Sequence, residues 1–423
     1  MFKFKIKRYF FNSIFSLWTL IRWTVISLAV GIIVGGTCTF FAFVLLKANA
    51  LRDLYPMIAI GLPAAGLIIV FLYKNFQNKD DLGTNLIIAS IRNSTDIPFR
   101  MAPMIFISTA LTQLCGGSAG REGAAIQLGG CLGNTLGKLF HLNSDDRHII
   151  TMCGMSAGFS ALFGTPMAAA VFSLEVISVG IMHYSALVPC VIASFTAHFI
   201  GLAFHIPPEY FPVSFIPEIT ILGFGKMILF GAVIGGISIL FCICLHYSEV
   251  LYHKFFENPY IRIFTGGCFI MGLVGLFQTD VYLGSGISLI SSIFEDGYRV
   301  GFEAFLLKII FTTLTIAAGF KGGEIVPSFC IGAAFGCASA SLLGMPSTLA
   351  AACGMVGLFC GVTNCPITSL LISFELFGFE GMPYYLVTIA VSYMLSGYYG
   401  LYRAQKIMYS KYKTQYVHKT THQ

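Results

Sequence analysis

A charged side chain inside a long apolar stretch is costly, so each one marks a position where chemistry is to be sought. In this chain such charges concentrate in Gly-rich patches. Residues 116–130 read GGSAGREGAAIQLGG and hold Arg121 and Glu122; residues 319–332 read GFKGGEIVPSFCIG and hold Lys321 and Glu324. A third patch, residues 82–91 (LGTNLIIASI), has a relative at residues 283–293 (LGSGISLISSI). Gly and Pro interrupt the chain in these patches just before a fresh apolar run, which creates a helix N-terminus inside an apolar region. The free N–H groups and positive dipole end of such a helix attract an anion. A cation site would instead need carboxylates and unwound carbonyls. Candidate N-termini outnumber acids here, so the pattern points to a dehydrated anion.

Glu122 then has a mechanistic task. Its carboxylate sits where an anion would sit, occupies that place when ionised and can leave it when protonated. Such a residue couples anion passage to proton movement. The competing reading is a permanent ion pair with Arg121, although adjacent residues on a helix do not face each other. Glu324 is an acid in an otherwise apolar Gly-rich turn and suggests a second proton site. The competing reading is a buried acid bonded to nearby backbone. Thr84 and Asn85, after Gly83, offer donors at a helix start, where an N-cap role is the alternative. Glu175 and Glu375, in FSLEV and SFELF, read as scaffold at an interface between related segments.

These residues lie in a chain built for a bilayer. Hydrophobic residues make up 56 % and charged residues 10 % of its 423 positions, against about 25 % charged in a soluble domain. The mean hydropathy is +0.81. About 20 apolar residues span the hydrocarbon core; residues 25–46, 57–73, 184–204 and 226–244 qualify. Transmembrane barrel alternation is absent. Lys3, Lys5, Lys7, Arg8 and Arg22 precede the first apolar run, and Arg403, Lys406, Lys411, Lys413 and Lys419 follow the last. By the positive-inside rule both ends are cytoplasmic in the cell membrane. The net charge of +6 therefore reads as topology rather than nucleic-acid binding. The 13 cysteines are scattered through apolar segments and read as small packers, with neither disulfides nor metal ligation expected.

The chain also repeats itself. Gly31, Gly35 and Gly36 recur as Gly231, Gly235 and Gly236; Cys153-Gly154-Met155 recurs as Cys353-Gly354-Met355; Pro166, Ser173 and Glu175 recur as Pro366, Ser373 and Glu375, all at a separation of 200 positions. At that separation Glu324 stands opposite Ala124, Glu122 opposite Gly322, and Arg121 opposite Lys321. The expected organisation is a first membrane repeat over 1–204, a linker at 205–219 rich in proline, a second repeat over 220–404 and a basic tail at 405–423. Residues 141–148 are followed in the second half by an equivalent loop without Lys or Arg, which favours an inverted, rather than parallel, repeat. Repeats of this size mark transporters with a substrate site at the repeat interface near the midplane.

With these patches in hand, the sequence resembles the CLC family of chloride channels and proton-coupled anion antiporters over residues 20–410. Gly120-Arg121-Glu122-Gly123 is similar to that family's GREGP segment, which carries the gating glutamate. Three features resemble the fluoride-transporting clade. Gly83-Thr84-Asn85-Leu86-Ile87 stands where chloride members have Gly-Ser-Gly-Ile-Pro. Glu324 stands in a Gly-Gly-x-Phe-x-Pro segment that here reads Gly322 to Pro327. Val176 replaces the internal proton glutamate of the chloride/proton antiporters. The resemblance implies an all-α polytopic protein with a CLC-type inverted repeat, broken helices meeting at the midplane, a homodimer, and no cofactor. It implies an anion path along Gly83, Thr84, Asn85, Gly123, Ala124, Ile325 and Val326, with Glu122 and Glu324 as gating and proton-coupling acids. The family's pore tyrosine falls within residues 397–402, with Tyr398 or Tyr399 expected. Departures occur at Ala124, Thr84 and Val326, where the clade more often has Thr, Asn or Met, and Thr.

The function so expected is a fluoride/proton antiporter that exports fluoride. The alternative on the same scaffold is a chloride/proton antiporter or chloride channel. A membrane-embedded enzyme would need clustered His and acids, which the nine histidines do not form. A receptor or assembly subunit is a further alternative, and the sequence offers little room for a soluble signalling domain.

Overall fold

The computed structural model describes residues 2–76, 83–93, 95–218 and 220–421, with side chains from residue 16 onward. Leu82, His422 and the side chains of Lys3, Lys5, Lys7 and Arg8 lie outside the described residues. Six helices there are long and apolar enough to cross a membrane: Ser16–Leu54, Pro56–Asn75, Tyr184–Ala203, Ile221–Phe255, Pro259–Phe277 and Ile325–Leu343. Three of the four expected apolar spans fall within the first, second and fourth of these, and residues 184–204 match the third to within one residue.

The two halves use matching elements. In the first, α1 (Phe2–Leu54) leads through α2 (Leu62–Asn75) to the short α3 (Thr84–Asn93), then α4 (Met101–Leu114), α5 (Glu122–Leu139), α6 (Ser144–Phe163), α7 (Pro166–Glu175) and α8 (Leu187–Ala203). The second repeats that order with α9 (Ile221–Phe255), α10 (Pro259–Phe277), α11 (Ile287–Phe294), α12 (Glu303–Ala318), α13 (Ile325–Leu343), α14 (Ser347–Thr363), α15 (Pro366–Phe377) and α16 (Met382–Leu395). Equivalent helices pack on equivalent partners: α5 on α6 as α13 on α14, and α1 on α8 as α9 on α16.

Glycine makes the tightest of these contacts possible. A Cβ added to Gly129 would lie 2.2 Å from the Gly154 carbonyl, and one on Gly332 would lie 2.3 Å from the Gly354 carbonyl. Backbone therefore meets backbone between α5 and α6, and again between α13 and α14. Small residues at such crossings let membrane helices approach closely where no hydrophobic force drives them together.

These crossings correct the simple 200-position register. Gly154 and Gly354 are 200 apart, but their partners Gly129 and Gly332 are 203 apart. The physical reason is a difference in helix length: α6 has 20 residues and α14 has 17. Three residues missing at the start of α14 set the separation at 203 for α3 and α11 and for α5 and α13, whereas Gly31 and Gly35 of α1 keep the 200-position separation from Gly231 and Gly235 of α9. The structural counterpart of Glu324 is thus Arg121, not Ala124; that of Glu122 is Ile325, not Gly322; and that of Lys321 is Ser118, not Arg121.

The halves meet about a pseudo-two-fold axis. Gly120 N–H donates to the Gly323 carbonyl (2.6 Å) and Gly323 N–H to the Gly120 carbonyl (2.8 Å), an antiparallel exchange. The Glu175 carboxylate at the end of α7 accepts from Ile367 and Thr368 N–H at the start of α15 (3.1 and 2.8 Å). Glu375, ending its own α15 segment, accepts from Met167 and Ala168 N–H at the start of α7 (both 2.9 Å). Each acid caps the other repeat's helix and complements its dipole. The scaffold reading of both therefore has direct contacts behind it.

The all-α expectation needs one amendment. β1 (Ser178–Val179) pairs in parallel with β2 (Lys406–Tyr409), which pairs antiparallel with β3 (Tyr416–Thr420). The basic tail is therefore a fastening. Gln405 is fully buried and its amide donates to the carbonyls of Val176 and Thr363. Lys411 reaches Asn364 and Ser396. Backbone carbonyls at the ends of α7 and α14 hold Gln405, and the side-chain oxygens of Asn364 and Ser396 hold Lys411, so this basic segment folds back onto the helices.

Candidate functional site

The first broken helix is α5. Its N-terminus follows the Gly116–Gly120 turn, in which Gly116 has φ +78°. Gly120 has no room for a side chain: a Cβ there would lie 2.8 Å from Glu122 Oε2. Glu122 is fully buried. Its carboxylate bends back onto its own helix start, where Oε2 accepts from Arg121 N–H (3.1 Å). Oε1 has no hydrogen-bond partner among the described residues. Arg121 Nε lies 3.5 Å from that oxygen without bonding to it, while the guanidinium bonds Glu209 in the inter-repeat linker at 2.6 Å. Arg121 therefore forms ion pairs with both acids, a looser one with Glu122 and a hydrogen-bonded one with Glu209. A carboxylate thus occupies the N-terminal position of α5 that would suit an anion.

A cavity of about 120 Å³ opens beside this helix start. Gly83, Thr84 and Asn85 at the start of α3 line it, as do Ala124 and Gln127 from α5. Ile105 and Thr109 from α4, Ile316 from α12, and Phe320, Lys321, Gly322 and Glu324 from the turn before α13 close another part of it, and Leu401 and Tyr402 complete it. Gly83 holds φ +59°, and a Cβ there would meet the Gln127 amide at 3.4 Å. Only a residue tolerant of left-handed backbone suits that turn.

Hydrogen-bond donors dominate this lining. Gln127 Nε2 donates to Thr84 Oγ1 (3.0 Å), which leaves the Thr84 hydroxyl proton free to point elsewhere. Asn85 Oδ1 accepts from Ala404 N–H (3.0 Å), so the amide's donor end is turned the other way. The hydroxyls of Thr109 and Tyr402 are buried and have no partner among the described residues. Buried polar groups are ordinarily satisfied. Here two unsatisfied hydroxyls line one small cavity, which a small anion would satisfy. Lys321 adds a cation whose Nζ lies 4.6 Å from the centre of the Tyr73 ring. The one acid among the described lining residues is Glu324, and a Cβ placed on Gly123 would sit 3.7 Å from its Oε2. Glu324 therefore stands against the α5 backbone next to the residue bearing the other acid.

The sequence-derived candidates separate accordingly. Gly83, Thr84, Asn85, Ala124 and Glu324 line the cavity, and Glu122 lies at the head of the adjoining helix. Gly123, Ile325 and Val326 do not line it. A side chain on Gly123 would strike the Gly323 backbone at 2.8 Å, and Ile325 and Val326 are fully buried at the start of α13. The tyrosine that lines the cavity is Tyr402, four positions after Tyr398 and three after Tyr399, the two expected. Tyr398 donates from its hydroxyl to Ser410 Oγ (3.0 Å), and Tyr399 offers its carbonyl to Asn364. The chain turns at Gly397 (φ +59°), and the bond from Leu401 N–H to the Val362 carbonyl then carries Tyr402 inward. Gln127, Thr109, Ile105, Ile316, Phe320 and Leu401 had no place in the sequence reading. Only Thr109 and Gln127 carried a signal, as polar residues on otherwise apolar helices.

This geometry has known relatives. The sequence matches the voltage gated chloride channel family over residues 65–397. The chain belongs to that family. Within the voltage gated chloride channel family it is 34 % identical over 398 residues to a chloride/fluoride channel protein of Pseudomonas syringae pv. tomato, covering 92 % of this chain and 88 % of the other. The crystal structure of a CLC-type fluoride/proton antiporter superposes with a TM-score of 0.88 at 34 % identity, covering 92 % of this chain and 98 % of that one. A slow cyanobacterial chloride/proton antiporter shares the fold at a TM-score of 0.77 and 19 % identity, over 89 % and 94 % of the two chains. Membership in this family also makes the chain a multi-pass membrane protein, in keeping with its long apolar helices.

Proposed function

We propose that this chain is a secondary active anion transporter, a fluoride/proton antiporter that exports fluoride. The observation that carries the reading is the small cavity lined by the Thr84, Thr109 and Tyr402 hydroxyls beside the buried Glu122. Fluoride is small and strongly hydrated. A site that strips its water must return several short hydrogen bonds, and hydroxyl donors to an anion form the short, strong kind. Both the chloride/fluoride channel relative and the fluoride/proton antiporter structure support the choice of ion.

The mechanism follows from where the carboxylates stand. Ionised, Glu122 accepts a bond at the head of α5 and excludes an anion from it. Protonated, it loses its hold on that positive end and releases the position. An anion can then advance while the proton travels the other way on the carboxyl group. Glu324, within the cavity, is the second proton carrier, because Val176 puts no acid after Glu175. Fluoride crosses into cells as neutral hydrogen fluoride and is trapped by ionising, so an inward proton gradient drives it out. Both termini are cytoplasmic in this reading, and the working form is a homodimer in the cell membrane.

Chloride transport on the same scaffold is the second reading, favoured by the name of the chloride/fluoride relative. Purified protein in liposomes with fluoride and chloride electrodes separates the two. Fluoride flux well above chloride flux is expected; chloride flux equal to or greater than fluoride flux overturns the selectivity.

A further inference from the structure

The pseudo-two-fold axis generates a second cavity position, and the chain fills it with its own cation. By the 203-position correspondence, Gly83, Ile105 and Gln127 map onto Gly286, Lys308 and Cys330. The geometry agrees: Gly83 (φ +59°) abuts Gln127, and Gly286 (φ +92°) abuts Cys330. Gly286 would also bring a Cβ within 3.0 Å of Lys308 Cε. In the first half, Ile105 leaves open space. In the second, Lys308 is wholly buried and its ammonium occupies the equivalent position.

Among the described residues that ammonium is held by a hydroxyl and two carbonyls and by no carboxylate. Lys308 Nζ donates to the carbonyls of Tyr282 (3.0 Å) and Gly284 (2.9 Å), and to Ser118 Oγ (3.0 Å). Ser118 Oγ also lies 3.0 Å from Thr312 Oγ1, and Ser118 N–H donates to Thr315 Oγ1 (3.1 Å). Ser118 belongs to the first repeat's turn, four residues before Glu122; every other member of the cluster belongs to the second repeat. A buried cation is expensive unless all three of its protons are bonded, so this position is specified closely. Its link to Ser118 ties the Glu122-bearing turn to the second repeat.

We propose that Lys308 is a positioning residue for proton coupling: its ammonium fills the second repeat's counterpart of the anion cavity and, through Ser118, fixes the turn from which Glu122 reaches the head of α5. The proposal rests on the antiport reading above. It leaves the anion cavity itself untouched, because Lys308 and Ser118 do not line it.

The test uses full-length protein in liposomes, with fluoride and proton fluxes recorded together for wild type, Lys308→Met, Ser118→Ala and the double variant. Wild-type fluoride flux without proton movement defeats the antiport reading on its own, before any variant is compared. With coupled wild type, each single variant is expected to keep fluoride flux while protons moved per fluoride fall by about tenfold, the scale of one charged hydrogen bond. The double variant should fall no further. Ser118→Ala loses one hydroxyl and keeps the buried lysine's two carbonyl partners, so it decides the matter if Lys308→Met does not fold. A wild-type coupling ratio in Ser118→Ala, or an equal loss of both fluxes in every variant that folds, overturns the proposal.

Discussion

Glu175 and Glu375 are the acids most easily mistaken for proton carriers, and replacing Glu175 by Gln separates scaffold from relay. The Glu175 carboxylate accepts from Ile367 N–H (3.1 Å), Thr368 N–H (2.8 Å) and the Thr368 hydroxyl (2.6 Å). A glutamine can keep its oxygen against Thr368, but its NH₂ group then faces the Ile367 N–H donor. One charged hydrogen bond is lost, and the others become neutral. Charged bonds contribute about 1.5–3 kcal/mol and neutral ones about 0.5–1.5. The helix-dipole contribution of a nearby anion adds about 0.3–1 kcal/mol. Together these put the cost at about 3 kcal/mol. Among the described residues Glu375 holds only the backbone N–H groups of Met167 and Ala168, so Glu375→Gln should cost less, about 2 kcal/mol. The assay is thermal unfolding in detergent with a thiol-reactive fluorophore, since buried free cysteines such as Cys153, Cys353 and Cys360 become reactive on unfolding. Both variants should unfold earlier, Glu175→Gln the more so, with protons moved per fluoride unchanged in the protein that remains folded. Undiminished stability together with lost coupling would refute the scaffold account and make Glu175 a relay.

Three further outcomes follow from the geometry. Tyr402→Phe should weaken apparent fluoride affinity by about tenfold, as the loss of a hydrogen bond to an anion implies, and Tyr398→Phe should leave it unchanged; concentration-dependent flux measurements compare them. Glu324→Gln should reduce proton flux more than fluoride flux, read in the same liposomes; an equal reduction of both would remove it from the proton route. Gly129→Ala should destabilise the protein severely, since its Cβ would lie 2.2 Å from the Gly154 carbonyl and rigid backbone cannot yield; yield and thermal unfolding report it.

Much of this was legible in the sequence, for definite physical reasons. Apolar length announces a membrane span directly, because the bilayer fixes it. Part of the duplication was visible because glycines such as Gly154 and Gly354, at backbone-to-backbone crossings, leave no room for another side chain. Glu122 and Glu324 stood out because an acid in an apolar Gly-rich turn has no cheap explanation. The register within the duplication was hidden. Helix α14 is three residues shorter than α6, which changes the separation of the Gly-rich turns before it while leaving each motif intact. This moved the partner of Glu324 from Ala124 to Arg121. Tyr402 was hidden for another reason: which tyrosine of GYYGLY points inward depends on the pairing of Leu401 with Val362, far away in sequence. The tail sheet was obscured because its lysines look like a topology signal, whereas Lys411 is a side chain with buried partners.

The central claim is that Glu122 exchanges with an anion and carries a proton as it does so. The most direct measurement is simultaneous fluoride and proton flux in liposomes loaded with fluoride, with no proton gradient imposed, for wild type and Glu122→Gln. The account predicts that fluoride leaving wild-type liposomes drives protons inward, and that Glu122→Gln moves no protons. Proton pumping of wild-type strength in Glu122→Gln would contradict it.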